Sequence, residues 1–276
     1  MFRVSLKKFD AKWATEFQKE AQKIAKILDE GIESIIHIGS TSIEDMTANE
    51  IIDIAICVDS PEYLKQCTRA LANLRYRDIG YFDQKNWLIL GRDDEKFHLH
   101  LGPYDGEEII NLLLFRLYLS KHADYREFYV DLKKKLIEES EESLYEVNKQ
   151  PFVTRVVMLA KLEYLNGGVA ESDFDILYKN AIVSNRDKMT GAIKGICQAD
   201  EEKLSDKIPH YNELHSTMMD EAEKATRESP FYCQFSITTR DGEPVEMSEK
   251  TEKYLKTMFS ETMLRRCLRT EEPDTD

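Results

Sequence analysis

Residues 35–58 constrain this chain more than any other stretch. They read Ile-Ile-His-Ile, then Gly-Ser-Thr-Ser, a short polar segment, and Ile-Ile-Asp-Ile-Ala-Ile-Cys-Val. Two runs rich in β-branched residues, 35–38 and 51–58, are expected as buried strands. Between them Gly39-Ser40-Thr41-Ser42 is expected as a turn that opens a short helix. Glycine lets the backbone approach a ligand closely, and the hydroxyls of Ser40, Thr41 and Ser42 beside amide N–H groups suit a phosphate. The second run carries a single carboxylate, Asp53. A charge in a core strand is paired, ligates a metal or faces a cleft. The plain alternative is a common Gly-Ser corner followed by a capped structural acid.

The flanking pattern supplies partners for these strands. Trp13, Phe17, Ala21, Ile24, Ile27 and Leu28 keep one face of a helix apolar from Ala11 onward, after a short extended arm over residues 1–10. Ser60-Pro61 is expected to start a second helix, with serine as N-cap and proline in the first turn. Residues 76–82, 87–90 and 96–101 are short runs separated by polar turns, expected as an antiparallel meander. After Pro103 the chain turns helical over 107–121 and 125–140. A further helix is expected to open at Gln150-Pro151 and to stop at Gly167-Gly168.

In Phe97-His98-Leu99-His100-Leu101 the two histidines alternate with apolar residues, so both imidazoles share one sheet face. If the Asp53 strand lies alongside, Asp53, His98 and His100 form a candidate metal site. The alternative gives His100 a place in the cleft without ligation. Arg116 and Lys149 are candidate cations for a phosphate, or else an ordinary snorkelling side chain and a surface charge.

Composition narrows the classes of partner. The net charge of −14 sets the chain against nucleic-acid phosphates and anionic membranes, so neither duplex nucleic acid nor a membrane is an expected partner. The five cysteines, Cys57, Cys67, Cys197, Cys233 and Cys267, have neither zinc-finger spacing nor a disulfide framework, which points to a reducing cytoplasm. The first residues lack a signal-peptide core, and no run is long enough to span a bilayer.

Taken together, these segments resemble the GrpB family, whose members share the nucleotidyltransferase superfamily fold. The matching text is His37-Ile38-Gly39-Ser40-Thr41-Ser42, Ala48 through Ile54, and His98-Leu99-His100-Leu101. It continues with Phe115-Arg116, Tyr118-Leu119, Tyr129 to Lys133, and Tyr145 with Lys149 and Phe152, so it covers about residues 2–165. The resemblance implies an α+β fold: a small mixed sheet flanked by helices, with a Gly-Ser phosphate turn and an acidic strand. It implies little about substrate; the expected ligand is a nucleoside triphosphate or another phosphorylated small molecule, with Mg²⁺ or Mn²⁺ as the expected cofactor.

Three departures stand out against that pattern. Asn49-Glu50 replaces the family's Lys-Pro, and Leu117 stands where the family has Asp, so a cation and a carboxylate are missing from positions expected at the cleft. Active members of the wider superfamily carry two carboxylates two residues apart on the acidic strand. Here the partner position is Ala55. A single Asp makes a poor Mg²⁺ cage for phosphoryl transfer, and Glu50, an odd number of residues away, is expected on the other face.

Residues 1–168 are therefore read as one domain and 169–276 as a mostly helical extension that covers the first domain or binds a protein partner. Within the extension Ser172-Asp173 is expected to cap a helix reaching Ile182. Helices are also expected over 187–199, 211–227 and 248–268, and a strand within 229–239. Three functions compete. A divalent-metal nucleotidyltransferase would use Ser40 and Ser42 on phosphates, Asp53 on metal, His100 as ligand or proton carrier, and Arg116 with Lys149 against developing charge. A catalytically degenerate nucleotide- or anion-binding module would keep the turn without the chemistry. An interaction scaffold would work through its C-terminal third.

Overall fold

The computed structural model describes residues 5–28, 31–82, 87–92, 94–139, 145–165 and 167–205. The chain divides into two compact units, Met1–Val130 with Gly167–Ile196, and Asp131–Asn166 with Cys197–Asp276.

The first unit is built on a six-stranded sheet in the order β5-β6-β7-β4-β2-β8. Its strands are β2 (Ile32–Ile38), β4 (Ile52–Val58), β5 (Tyr76–Phe82), β6 (Trp87–Arg92), β7 (Phe97–Pro103) and β8 (Ile182–Ser184). A two-stranded ribbon pairs β1 (Leu6–Lys7) with β3 (Ala48–Asn49). β4 runs parallel to β7 and antiparallel to β2, so the sheet is mixed. β5, β6 and β7 form the expected antiparallel meander.

The period of two sorts β4 between two environments. Ile52, Ile54, Ile56 and Val58 are buried in a cluster with Trp13, Phe17, Ala21, Ile24 and Leu28 of α1 (Lys12–Leu28). Leu64, Cys67 and Leu71 of α2 (Leu64–Leu71) join the same cluster, as do Leu88, Leu90, Leu99 and Leu101. The opposite face of the sheet therefore carries Asp53, Ala55, His98 and His100. α3 (Glu107–Lys121) packs against β2 and β7 and is buried through most of its length. α4 (Ala123–Glu139) follows it.

Three elements differ from the sequence expectation. Ser60 makes no side-chain cap: a 3-10 turn over Pro61–Tyr63 leads into α2 instead. The helix expected at Gln150-Pro151 begins earlier, as α5 (Tyr145–Leu165). Proline inside a helix costs about 3 kcal/mol, but Tyr145 and Phe152 on either side of it are both buried, and burying two aromatic side chains offsets that cost. The segment after Ser172-Asp173 makes a 3-10 turn and the single-turn α6 (Asp175–Tyr178). Asn180 then adopts a left-handed φ of 73°, and Ile182 lies in β8, paired with Ile35 of β2. A β-branched pair beside the open edge of β2 favours strand over helix.

α7 (Arg186–Ser205) covers the helix expected over 187–199 and extends it. The elements expected over 211–227, 229–239 and 248–268 lie outside the described residues. No helix among the described residues is long and apolar enough to cross a membrane.

Residues 169–196, assigned from sequence to the extension, bring β8 and the buried side chains Phe174, Leu177, Met189 and Ile193 to the first unit. Burying each is worth roughly 1.5–3 kcal/mol. A chain ended at Gly168 should melt about 15 °C or more below the full chain, or fail to fold. Equal melting temperatures by circular dichroism would show that the returning segment adds no stability.

Candidate functional site

The turn between β2 and β3 is fixed from several directions. Gly39 adopts φ 68° and ψ −176°, a region open essentially to glycine alone. A Cβ added there would lie 2.3 Å from Asp53 Oδ2. Gly39 therefore presses the turn directly against the β4 carboxylate. A 3-10 turn over Ser40–Ser42 follows, closed by the Ser42 hydroxyl donating to the Gly39 carbonyl at 2.6 Å. Ser40 and Ser42 are half-buried, while Thr41 is turned inward.

Thr41 joins a buried relay. Its hydroxyl donates to the Ile51 carbonyl at 3.1 Å and meets His37 Nε2 at 3.1 Å. A hydroxyl has one hydrogen, so Nε2 of His37 must carry the proton and donate. The His37 ring is also stacked on Phe17, with centroids 4.8 Å apart. Burial, followed by the nearby Arg116 charge, pushes its pKa down to about 3, so the ring is neutral in the folded protein.

On the sheet face away from α1, Asp53 pairs in register with His98, and Ala55 with His100. His100 Nε2 lies 3.3 Å from Asp53 Oδ1, and His98 Nδ1 lies 3.7 Å from the same oxygen. The side chains of Asp53, His98 and His100 are 25%, 30% and 13% exposed. A carboxylate oxygen accepts only, so Nε2 of His100 bears its proton. The His100 ring is stacked against Trp87, with centroids 5.9 Å apart. The 3.7 Å separation at His98 is too long for a hydrogen bond.

The sequence thus brings Gly39, Ser40, Ser42, Asp53, His98 and His100 to one end of β4. It does not bring Arg116 there. That side chain is 4% exposed and donates to the carbonyls of His37 (2.6 Å), Leu177 (3.0 Å) and Ile176 (2.7 Å). Burial pushes its pKa down to about 10, which leaves it charged at neutral pH. Arg116 is a clamp between the end of β2 and the returning segment, not a phosphate ligand. Lys149 lies in the second unit, its ammonium 5.2 Å from the Tyr145 ring centroid.

The departures also look different in three dimensions. Leu117 is buried at 2% exposure, so an apolar residue there packs rather than leaving a gap in a cleft. Glu50 pairs with Lys7 of β1, and Asn49 pairs in register with Leu6.

Mg²⁺ and Mn²⁺ suit oxygen donors in near-octahedral array. Among the described residues no group of three or more His, Cys, Asp or Glu side chains is disposed to hold a metal ion. The donor set at Asp53 explains this. It has one carboxylate, Ala55 where a second would stand, and otherwise imidazole nitrogens, whereas Mg²⁺ and Mn²⁺ prefer oxygen donors. In the candidate His–His–Asp site only His100 lies within hydrogen-bond distance of Asp53, and these residues do not fit a Mg²⁺ cage.

Sequence reasoning missed His37 and Trp87 as site residues. Both lay in alternating runs that, once paired with neighbouring strands, assign them to a face. The Ile176 and Leu177 carbonyls carried no signal, because any residue type offers a backbone oxygen.

A mixed sheet with a glycine turn set against a strand carboxylate, flanked by helices, defines the class of this molecule. The GrpB protein family model matches residues 3–158, and the chain belongs to the GrpB family. It is 28% identical to the UPF0157 protein BH1888 of Halalkalibacterium halodurans over 137 residues, 48% of this chain and 69% of that one. The conserved protein GrpB from Enterococcus faecalis superposes with a TM-score of 0.54 at 26% identity, covering 58% of this chain and 99% of that structure. A lower-scoring likeness is to Cid1, with RNA terminal uridylyl transferase activity: TM-score 0.40, 16% identity, 57% of this chain and 48% of that one.

Gly39→Ala should cost about 3 kcal/mol by chemical denaturation, from the glycine-only backbone together with the clash at Asp53. His37 yields a pH signature. Its folded pKa is depressed, so its neutral form contributes stability that is fully present above the ordinary histidine value of about 6.5. That stability is lost as pH falls from about 6.5 toward about 3. Unfolding should therefore take up close to one extra proton near pH 5, and His37→Gln, which keeps a donor for Thr41, should remove that uptake.

Proposed function

We propose that the first unit binds a nucleoside triphosphate, or another phosphorylated small molecule, at the Asp53 end of β4 without the catalytic apparatus of a two-metal transferase. The observation that carries this reading is the convergence of the Gly39–Ser42 turn with Asp53 and His100. The turn offers the half-buried hydroxyl of Ser40 and its neighbouring amides, while Nε2–H of His100 ties down the carboxylate that would otherwise repel an anion. GrpB membership agrees with a phosphate turn at this place but does not name a ligand.

The second reading is nucleotidyl transfer to an acceptor with a divalent metal. The superfamily resemblance favours it, whereas Ala55, where a second carboxylate would stand, weighs against it. No step through a metal is derived for these residues.

Calorimetric titration of the full chain with ATP, GTP, CTP and UTP separates the two readings. The binding module predicts heat with at least one nucleotide in EDTA, weakened about three- to tenfold by Ser40→Ala and retained in Asp53→Asn. The transferase predicts binding that needs Mg²⁺ or Mn²⁺ and is lost in Asp53→Asn. Absence of heat at millimolar nucleotide under every condition would overturn both.

A further inference from the structure

Beyond the histidines the same sheet face continues as an apolar shelf. Gly91 of β6 stands opposite His98, and Ile89 stands opposite His100. Trp87, on the same face of β6 by alternation, is half-buried and stacked on the His100 ring at an interplanar angle of 20°. The side chain of Ile79 on β5 covers Gly91: a Cβ there would meet it at 3.0 Å. Ile79 is 51% exposed and is one of two large hydrophobic residues left exposed among the described residues, with Val183. An exposed isoleucine over Gly91 and a half-buried tryptophan further along β6, on the face that carries the polar cluster, make the composition of a ligand surface.

We infer that this shelf, through Trp87 at the start of β6, receives the nucleobase of a nucleotide whose phosphates lie at the Gly39–Ser42 turn. The inference rests on the phosphate reading above and adds the ring-binding half of the site. β4 and β6 are two strand spacings apart, about 10 Å. The contacts between them run without interruption from Asp53 to His100 at 3.3 Å and from His100 to Trp87 at 5.9 Å. A ligand spanning this face needs an anionic end and a planar apolar end, which is the build of a nucleotide. A base stacked on an aromatic side chain gains affinity with little dependence on base identity. The shelf therefore contributes affinity, with weak discrimination among bases.

Tryptophan emission tests this directly. The chain has two tryptophans, and Trp13 is 3% exposed in the core. A full-length W13F variant makes Trp87 the only reporter. Should W13F fold poorly, the difference between wild-type and W87F emission isolates the same signal. ATP should quench Trp87, and inorganic tripolyphosphate should bind without quenching. W87L should weaken ATP roughly tenfold and leave tripolyphosphate unchanged. ATP binding by calorimetry with unaltered Trp87 emission and unaltered affinity in W87L would overturn the shelf and leave the phosphate site standing. Failure of both ATP and tripolyphosphate to bind would overturn the two together.

Discussion

A buried guanidinium joins parts of this chain that are far apart in sequence. Arg116 lies on a helix packed against the sheet, and its two terminal nitrogens hold the carbonyl of His37 on one side and those of Ile176 and Leu177 on the other. Removing such a charge from water costs several kcal/mol. Hydrogen bonds to a charged group return roughly 1.5–3 kcal/mol each, so three of them come near to balancing the loss. The contact thus adds little net stability and a good deal of geometry. It sets where β2 ends, and so where the Gly39 turn begins. It also brings the returning segment close enough for β8 to pair with β2.

The turn inherits that placement. His37 offers its carbonyl to Arg116 and its ring to Thr41, while Thr41 is tied to the Ile51 carbonyl just before β4. Gly39, without a side chain, then lies flush against Asp53. Asp53 is held from the other side by His100, itself backed by the Trp87 ring. Each group in the cluster is therefore oriented by a neighbour before any ligand arrives, the condition under which polar groups select a ligand most sharply.

Much of this arrangement was legible in the residues. The β-branched runs marked β2 and β4. The period of two gave Asp53 and the His98–His100 pair their common face, and the apolar stripe from Trp13 to Leu28 marked α1. Local patterns succeed where one face of an element must be buried and the other need not be. They fail where competing preferences are settled by partners distant in sequence. Pro151 read as a helix start because its missing N–H is harmless there, yet burial of Tyr145 extends the helix through it. Ile182 read as helical until the edge of β2 offered it hydrogen bonds.

By itself the sequence determined which residues had to be buried, which alternated, and where glycine, proline and the few in-strand polar groups punctuated them. These are consequences of side-chain chemistry and the two backbone periods. Only the tertiary structure decided what the polar groups do. Arg116 reads as a phosphate ligand until three backbone carbonyls are seen to surround it. Asp53, His98 and His100 read as an equivalent triad until the structure sets His100 within hydrogen-bond distance of the carboxylate and His98 beyond it. Backbone acceptors have no signature in a sequence, and a histidine's role depends on which atom it faces.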